Sequence, residues 1–236
     1  IAACAFDNTT TPTDDIAWSK GEDIDKACGL YQAVAGDVAS FVVAGIDRFG
    51  NTITLGGDSL TSIIRSSSYF AGDVTDFQNG TYGIKYMVTQ SALFVIDVSI
   101  SKVGAITLPL PVPIHKSPFS ARAFPAELPS ADHTVVYGPG LQEGTVGQVR
   151  WFTIEARDVW GNRKTKGGDN FRVVLTLKPK PLAAPFYFGE IVDRYDGTHM
   201  VMFTLTRASK YAVEIAYRQR AFPYDLEALK GNPWEI

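Results

Sequence analysis

The stretch FVVAGIDRFGNTITLGGDSL, residues 41–60, decides how the chain reads, because it returns as FTIEARDVWGNRKTKGGDNF at residues 152–171. Each copy runs from an apolar segment into Asp-x-x-Gly-Asn, at Asp47/Gly50/Asn51 and at Asp158/Gly161/Asn162. Each then reaches Gly-Gly-Asp, ending at Asp58 and at Asp169. The offset is constant, since 158 − 47 and 169 − 58 both equal 111. It also carries Gly29-Leu30 onto Gly140-Leu141 and Gly36 onto Gly147. Further along, Asp76…Gly80-Thr81 is restated as Asp193…Gly197-Thr198, and Ser117-Pro118-Phe119 as Asn232-Pro233-Trp234. A repeat this dense predicts two tandem units of about 110 residues, each able to build its own core.

Between the punctuating motifs lie strand-length runs rich in Val, Ile, Tyr and Phe, at 40–46, 59–64, 81–88 and 93–100. The second half matches them at 149–156, 171–177, 200–206 and 211–217. Phe171, Val173, Leu175 and Leu177 alternate, which puts four apolar side chains on one face of one strand. No segment carries a sustained helical stripe, and 225–230 is long enough for one helical turn only. The fold class predicted is all-β, an antiparallel sandwich in each half. Residues 1–23 read as a polar leader, 24–124 and 131–236 as the two domains, and 125–130 as a short semi-rigid linker holding two prolines. The halves differ in two Pro-rich stretches, AITLPLPVP at 105–113 and KPKPLAAP at 178–185, both expected as surface loops.

The turns have a physical reason. Gly accepts positive φ, and Asp or Asn bonds its own backbone, so Asp-x-x-Gly-Asn favours a tight reversal. Asp47, Asp58, Asp73 and Asp76 are hard-oxygen candidates for Ca²⁺. A Ca²⁺ loop concentrates its acids within about a dozen residues, so a turn role is expected and no metal.

Composition is that of an ordinary globular chain of 236 residues with a formal charge of −3. That balance supplies no electrostatic reason to expect nucleic acid or an anionic membrane. No apolar run approaches the roughly 18 residues of a membrane span, and no signal-peptide pattern is seen. Because the chain starts at Ile1, it is expected to be a processed form or a piece of something longer.

Chemistry-bearing patterns are sparse. His115, His133 and His199 fall in unrelated segments without metal-ligand spacing. Nucleophile elbows, phosphate loops and dinucleotide fingerprints are all missing, so no catalytic residues and no cofactor are expected. The two cysteines, Cys4 and Cys28, have two readings. Bridged, they tie the leader to the first strand with a contribution of about 3 kcal/mol; unbridged, Cys28 is a small core residue and Cys4 a free thiol. The even count favours the bridge and a secreted chain. Asn8 and Asn79 head glycosylation sequons.

Together these motifs resemble the filamin-type immunoglobulin-like repeat: Gly138-Pro139-Gly140-Leu141, Asp-x-x-Gly-Asn, Gly-Gly-Asp, Asp-x-x-x-Gly-Thr-Tyr and Ser117-Pro118-Phe119, in that order. The chain departs from the pattern at Cys28, at His199 in place of the Tyr that stands at 82, and at Asn232-Pro233-Trp234. The resemblance implies seven strands per sandwich and partners that add an extended strand beside the third strand, in its groove with the fourth. Mapped here, that groove is 58–65 with 72–77 in the first half and 169–178 with 188–193 in the second, and the better acceptor is Phe171, Arg172, Val173, Val174, Leu175 and Thr176, with Arg172, Val174 and Thr176 expected to face outward. The first half, ending in Arg65-Ser66-Ser67-Ser68, is expected to be the poorer acceptor. The function implied is a non-enzymatic protein-interaction or structural module within a larger cell-surface or secreted adhesion assembly. The alternative is an intracellular scaffold of actin cross-linking or ciliary, dynein-associated type.

Overall fold

The computed structural model describes residues 2–3, 29–179, 186–218 and 226–236. The chain divides into two units, Ile1–Phe124 and Pro125–Ile236. The first holds β1 (Ala2–Ala3), β2 (Gln32–Val34), β3 (Val38–Ala44), β4 (Ser59–Arg65), β5 (Tyr69–Asp76), β6 (Thr81–Met87), β7 (Leu93–Val103), β8 (Ile106–Pro113) and β9 (Phe119–Phe124). One layer is β1, β3, β6 and the second half of β5; the other is the first half of β5 with β4, β7, β9 and β2, and β8 also lies on β7. All pairings are antiparallel except that of β2 with β9.

The second unit holds β10 (Val135–Tyr137), a short 3-10 turn (Pro139–Leu141), β11 (Val149–Glu155), β12 (Phe171–Lys178), β13 (Phe186–Phe188), β14 (Glu190–Asp193), β15 (Thr198–Thr204), β16 (Lys210–Arg218), β17 (Leu226–Ala228) and β18 (Trp234–Glu235). Its layers are β10-β11-β15-β14 and β13-β12-β16-β17, with β18 also on β16.

Both units are immunoglobulin-like sandwiches. Each contains nine strands among the described residues, where seven were expected. In the first unit the opening strand is divided into β1 and β2, and β8, lying where 105–113 was expected as a surface loop, is an added strand because β7 offers it a ladder. In the second, the fourth strand is broken at Gly189 into β13 and β14, and β17 and β18 share the last position. The break marks a change of layer, because β13 pairs with β12 while β14 pairs with β15. In the first unit β5 makes the same crossing unbroken, pairing with β4 up to Gly72 and with β6 from Asp73.

Period-two alternation makes the cores. Phe41, Ile84 and Tyr86 from one layer meet Leu60, Ile64, Phe94, Ile96 and Val98 from the other. The second core sets Phe152, Ile154, Val201 and Phe203 against Phe171, Val173, Leu175, Val213 and Ile215. Each such side chain contributes about 1.5–3 kcal/mol on full burial. The two closing motifs do the same work: Val98 donates its N–H to Ser117 Oγ at 2.9 Å, and Ile215 donates to Asn232 Oδ1 at 2.9 Å.

Three expectations need correction. Ala2 and Ala3, assigned to a leader outside the fold, pair with Val43 and Val42 of β3. Leu226–Ala228 is a strand and not a helical turn, because Ala216, Tyr217 and Arg218 of β16 present a ladder for it. The stretch 125–130 is bonded into the second unit: the Ala126 N–H reaches Asp158 Oδ2 at 2.8 Å and the Ser130 N–H reaches the Arg157 carbonyl at 2.7 Å.

Candidate functional site

The turn motifs hold the entrance to the third strand of each unit. Asp158 is fully buried, and its Oδ1 accepts from the N–H groups of Trp160 and Asn162, both at 2.9 Å. Exposed Asp47 accepts likewise from Phe49 and Asn51, both at 2.8 Å, and the Asn51 bonds hold its carboxyl below the usual carboxylate range. Asp76 Oδ2 takes the Gly57 N–H at 2.7 Å, and Asp193 Oδ2 takes that of Gly168 at 2.6 Å, so the two remote motifs are fastened together. Gly80 and Gly197, at φ 80° and 83°, lie against the carbonyls of Ile53 and Lys164 with no room for a Cβ. These carboxylates are committed to backbone donors. Among the described residues no three His, Cys, Asp or Glu side chains are arranged to hold a metal ion. Asn79 is exposed, and its Oδ1 accepts from the Thr81 N–H at 3.1 Å and the Thr81 hydroxyl at 2.6 Å. Asp196 does the same for Thr198. Cys4, Cys28 and Asn8 lie outside the described residues.

The predicted acceptor edge is partly occupied. Val174, Leu175 and Thr176 already pair with Phe188, Tyr187 and Phe186 of β13. The Gly189 N–H points to the Val173 carbonyl at 3.4 Å. Backbone direction alternates along a strand, so Phe171 turns its N–H and C=O to the same side, where no strand pairs with it among the described residues. Leu60, its counterpart in β4, stands in the same position, because β5 begins pairing only at Ser62. The open edge is therefore the start of the strand and not its whole length.

Exposure along that strand also departs from expectation. Arg172 is exposed, but Val174 and Thr176 are 8% and 6% exposed. Val174 stands between Glu214 of β16 and Phe188 of β13, with cross-strand neighbours on both sides. Clean alternation belongs to β4 instead, where Leu60, Ser62 and Ile64 are buried and Thr61, Ile63 and Arg65 exposed. Beside the open edge of the second unit, the Arg172 guanidinium lies 5.9 Å from the centroid of the exposed Phe188 ring.

Behind this edge lies a buried polar cluster that sequence reasoning did not single out. Lys164 Nζ is 2.6 Å from Asp169 Oδ1, and both side chains are almost fully buried. Lys164 also donates to the Glu127 carbonyl. His199 is 1% exposed, packs on the Phe171 ring at 4.9 Å, and stands 3.7 Å from Asp193 Oδ1. Neither imidazole nitrogen, nor Asp169 Oδ2, has a hydrogen-bond partner. The first unit has Ile53 and Tyr82 at the places of Lys164 and His199, and there the Tyr82 hydroxyl accepts the Asp58 N–H at 3.1 Å. The signal was present in the repeat as two replacements by basic residues, Lys164 for Ile53 and His199 for Tyr82. His133 is exposed beside Ser130, and His115 is exposed in the first unit.

The order of motifs and the crossing of the fourth strand between layers now stand together. Residues 128–233 match the Filamin/ABP280 repeat. The chain is also 26% identical over 163 residues to the dynein alpha chain of the flagellar outer arm of Chlamydomonas reinhardtii, covering 66% of this chain and 3% of that one. It is 32% identical over 117 residues to protein O-glucosyltransferase 3 of Homo sapiens, 47% of this chain and 23% of the other. The chain thus spans a small part of the curated relatives it matches. Among solved structures it is similar to FdeC, an Escherichia coli adhesin, with a TM-score of 0.53 and 15% identity, covering 87% of this chain and 60% of that one. The filamin repeat and the immunoglobulin-like architecture are those of a structural module.

Proposed function

We propose that the chain is a protein-binding segment of a cell-surface or secreted adhesion assembly, and that it takes an extended partner strand at the open start of β12. One observation carries this reading: Phe171 presents an N–H and a C=O to a side where no strand pairs with it, between an exposed Arg172–Phe188 pair and the Asp169 turn. Such groups make an incoming strand cheap to add. The site is short, which suits a partner seated over two or three residues and then steered away by β13. The even cysteine count, the two sequons and an architecture shared with an adhesin favour the extracellular setting. Likeness to a flagellar dynein chain favours a second, ciliary setting. Intact mass with and without reductant separates them: a shift of about two daltons belongs to a bridged, secreted chain.

Strand addition is tested by hydrogen exchange on the full chain, with and without partner proteins captured from native extract. The Phe171 amide exchanges freely alone and becomes protected in the complex, and the folded variant Arg172→Glu loses the partner. A captured partner that leaves the Phe171 and Leu60 amides unprotected overturns the strand-addition reading.

A further inference from the structure

We propose that the β7–β8 hairpin of the first unit is a lipid-facing arm that docks the protein peripherally on anionic phospholipid surfaces. Between Lys102 and His115 runs VGAITLPLPVPI, residues 103–114, without one charged side chain. Ile106, Leu110 and Val112 are 68%, 75% and 50% exposed, an unusual display for three aliphatic residues of one short strand in water. The ladder explains why they stand out. Ile100 pairs with Val112 and Lys102 with Thr107, so two steps along β7 face five along β8, and 108–111 arch off the sheet.

Three features of this arm suit a bilayer surface better than water. Pro109, Pro111 and Pro113 carry no N–H, and a backbone donor left unbonded is what a hydrocarbon environment penalises most. Exposed Lys102, His115 and Lys116 flank the apolar run at both ends, where they meet phosphate headgroups as the aliphatic side chains enter the interface. No Asp or Glu occurs anywhere from 98 to 126, although the whole chain is formally −3. Asp58 accepts the Gly104 N–H of the hairpin turn at 2.8 Å, and Asp97, lower on β7, is paired with Arg65. The repeat supplies an internal comparison. In the second unit Tyr217 pairs with Glu227 where the first pairs Ile100 with Val112, so the corresponding strand is charged. The overall acidity that argued against a membrane therefore conceals a local apolar and basic stretch.

Co-sedimentation of the full chain with vesicles tests this, using phosphatidylcholine with and without phosphatidylserine. The wild type is expected to pellet with the phosphatidylserine vesicles and to be released by high salt. Lys116→Ala should weaken partitioning about fivefold, the factor for one basic residue near an anionic surface. Leu110→Asp, at an exposed position, should keep the melting temperature and abolish binding. A wild type that stays in the supernatant, equal pelleting with pure phosphatidylcholine, or full binding by a folded Leu110→Asp each overturns the proposal. The first of these results would assign the arm to a protein partner.

Discussion

At position 199 the second unit carries an imidazole where the first has the phenol of Tyr82, and the exchange has a chemical consequence. The Tyr82 hydroxyl ties the ring to the Asp58 N–H, whereas His199 has both nitrogens buried without a bond. Burial pulls its pKa below 6.5, the carboxylates of Asp193 and Asp169 pull partly back, and Lys164 lowers it again. The unfolded chain therefore binds a proton near pH 6.5 that the folded unit takes up only at lower pH. Stability is full above that value and falls as pH drops through the interval down to the folded pKa. The urea midpoint of the second unit should decline between pH 7.5 and 5. In His199→Tyr that decline should flatten. An unchanged slope would place the pH dependence on other groups. The substitution was visible in the sequence from the Asp-x-x-x-Gly-Thr motif that precedes both positions, but its burial and its orphaned nitrogens were not. They depend on Phe171 and Asp193, which converge on His199 from distant turns.

Strand β12 shows how far alternation carries. Phe171, Val173, Leu175 and Leu177 are buried as their spacing requires. Alternation on an edge strand predicts an outward face for the intervening Val174 and Thr176, yet β13 covers the side away from β16. A central position tolerates proline poorly, since it loses a ladder bond and gains a clash. Val174→Pro is accordingly expected to destabilise the second unit by about 3 kcal/mol or more and to abolish its melting transition by circular dichroism, while the first unit's transition persists. Retention of both transitions would return Val174 to an edge. The fourth strand begins earlier than its mapping at 72–77 and 188–193, at Tyr69 in β5 and at Phe186 in β13, for a related reason. A strand that changes layers half-way buries neither face consistently, as the half-exposed alternation of β5 shows.

For the chain as a whole, the two units are expected to fold independently, but the boundary carries more than a linker. Ala126 bonds Asp158, Ser130 bonds the Arg157 carbonyl, and Lys164 donates to the Glu127 carbonyl. Residues 125–236 expressed alone should therefore unfold cooperatively and be more stable than 131–236 by about 2 kcal/mol, the scale of one or two bonds to charged groups. Equal urea midpoints for the two fragments would reduce 125–130 to a tether. The amino-acid sequence alone determined the duplication, the strand class, the turn positions and most inward-facing residues. Those follow from local rules: period-two burial, positive φ at glycine, and carboxylates that bond backbone within a few residues. Only tertiary structure decided that β13 closes most of the predicted edge and that Lys164, Asp169 and His199 share one buried cluster. It likewise decided that residues 108–111 leave the sheet. Each of these depends on which segment of chain arrives beside another, and pairing between distant segments is set by the packing of the whole unit.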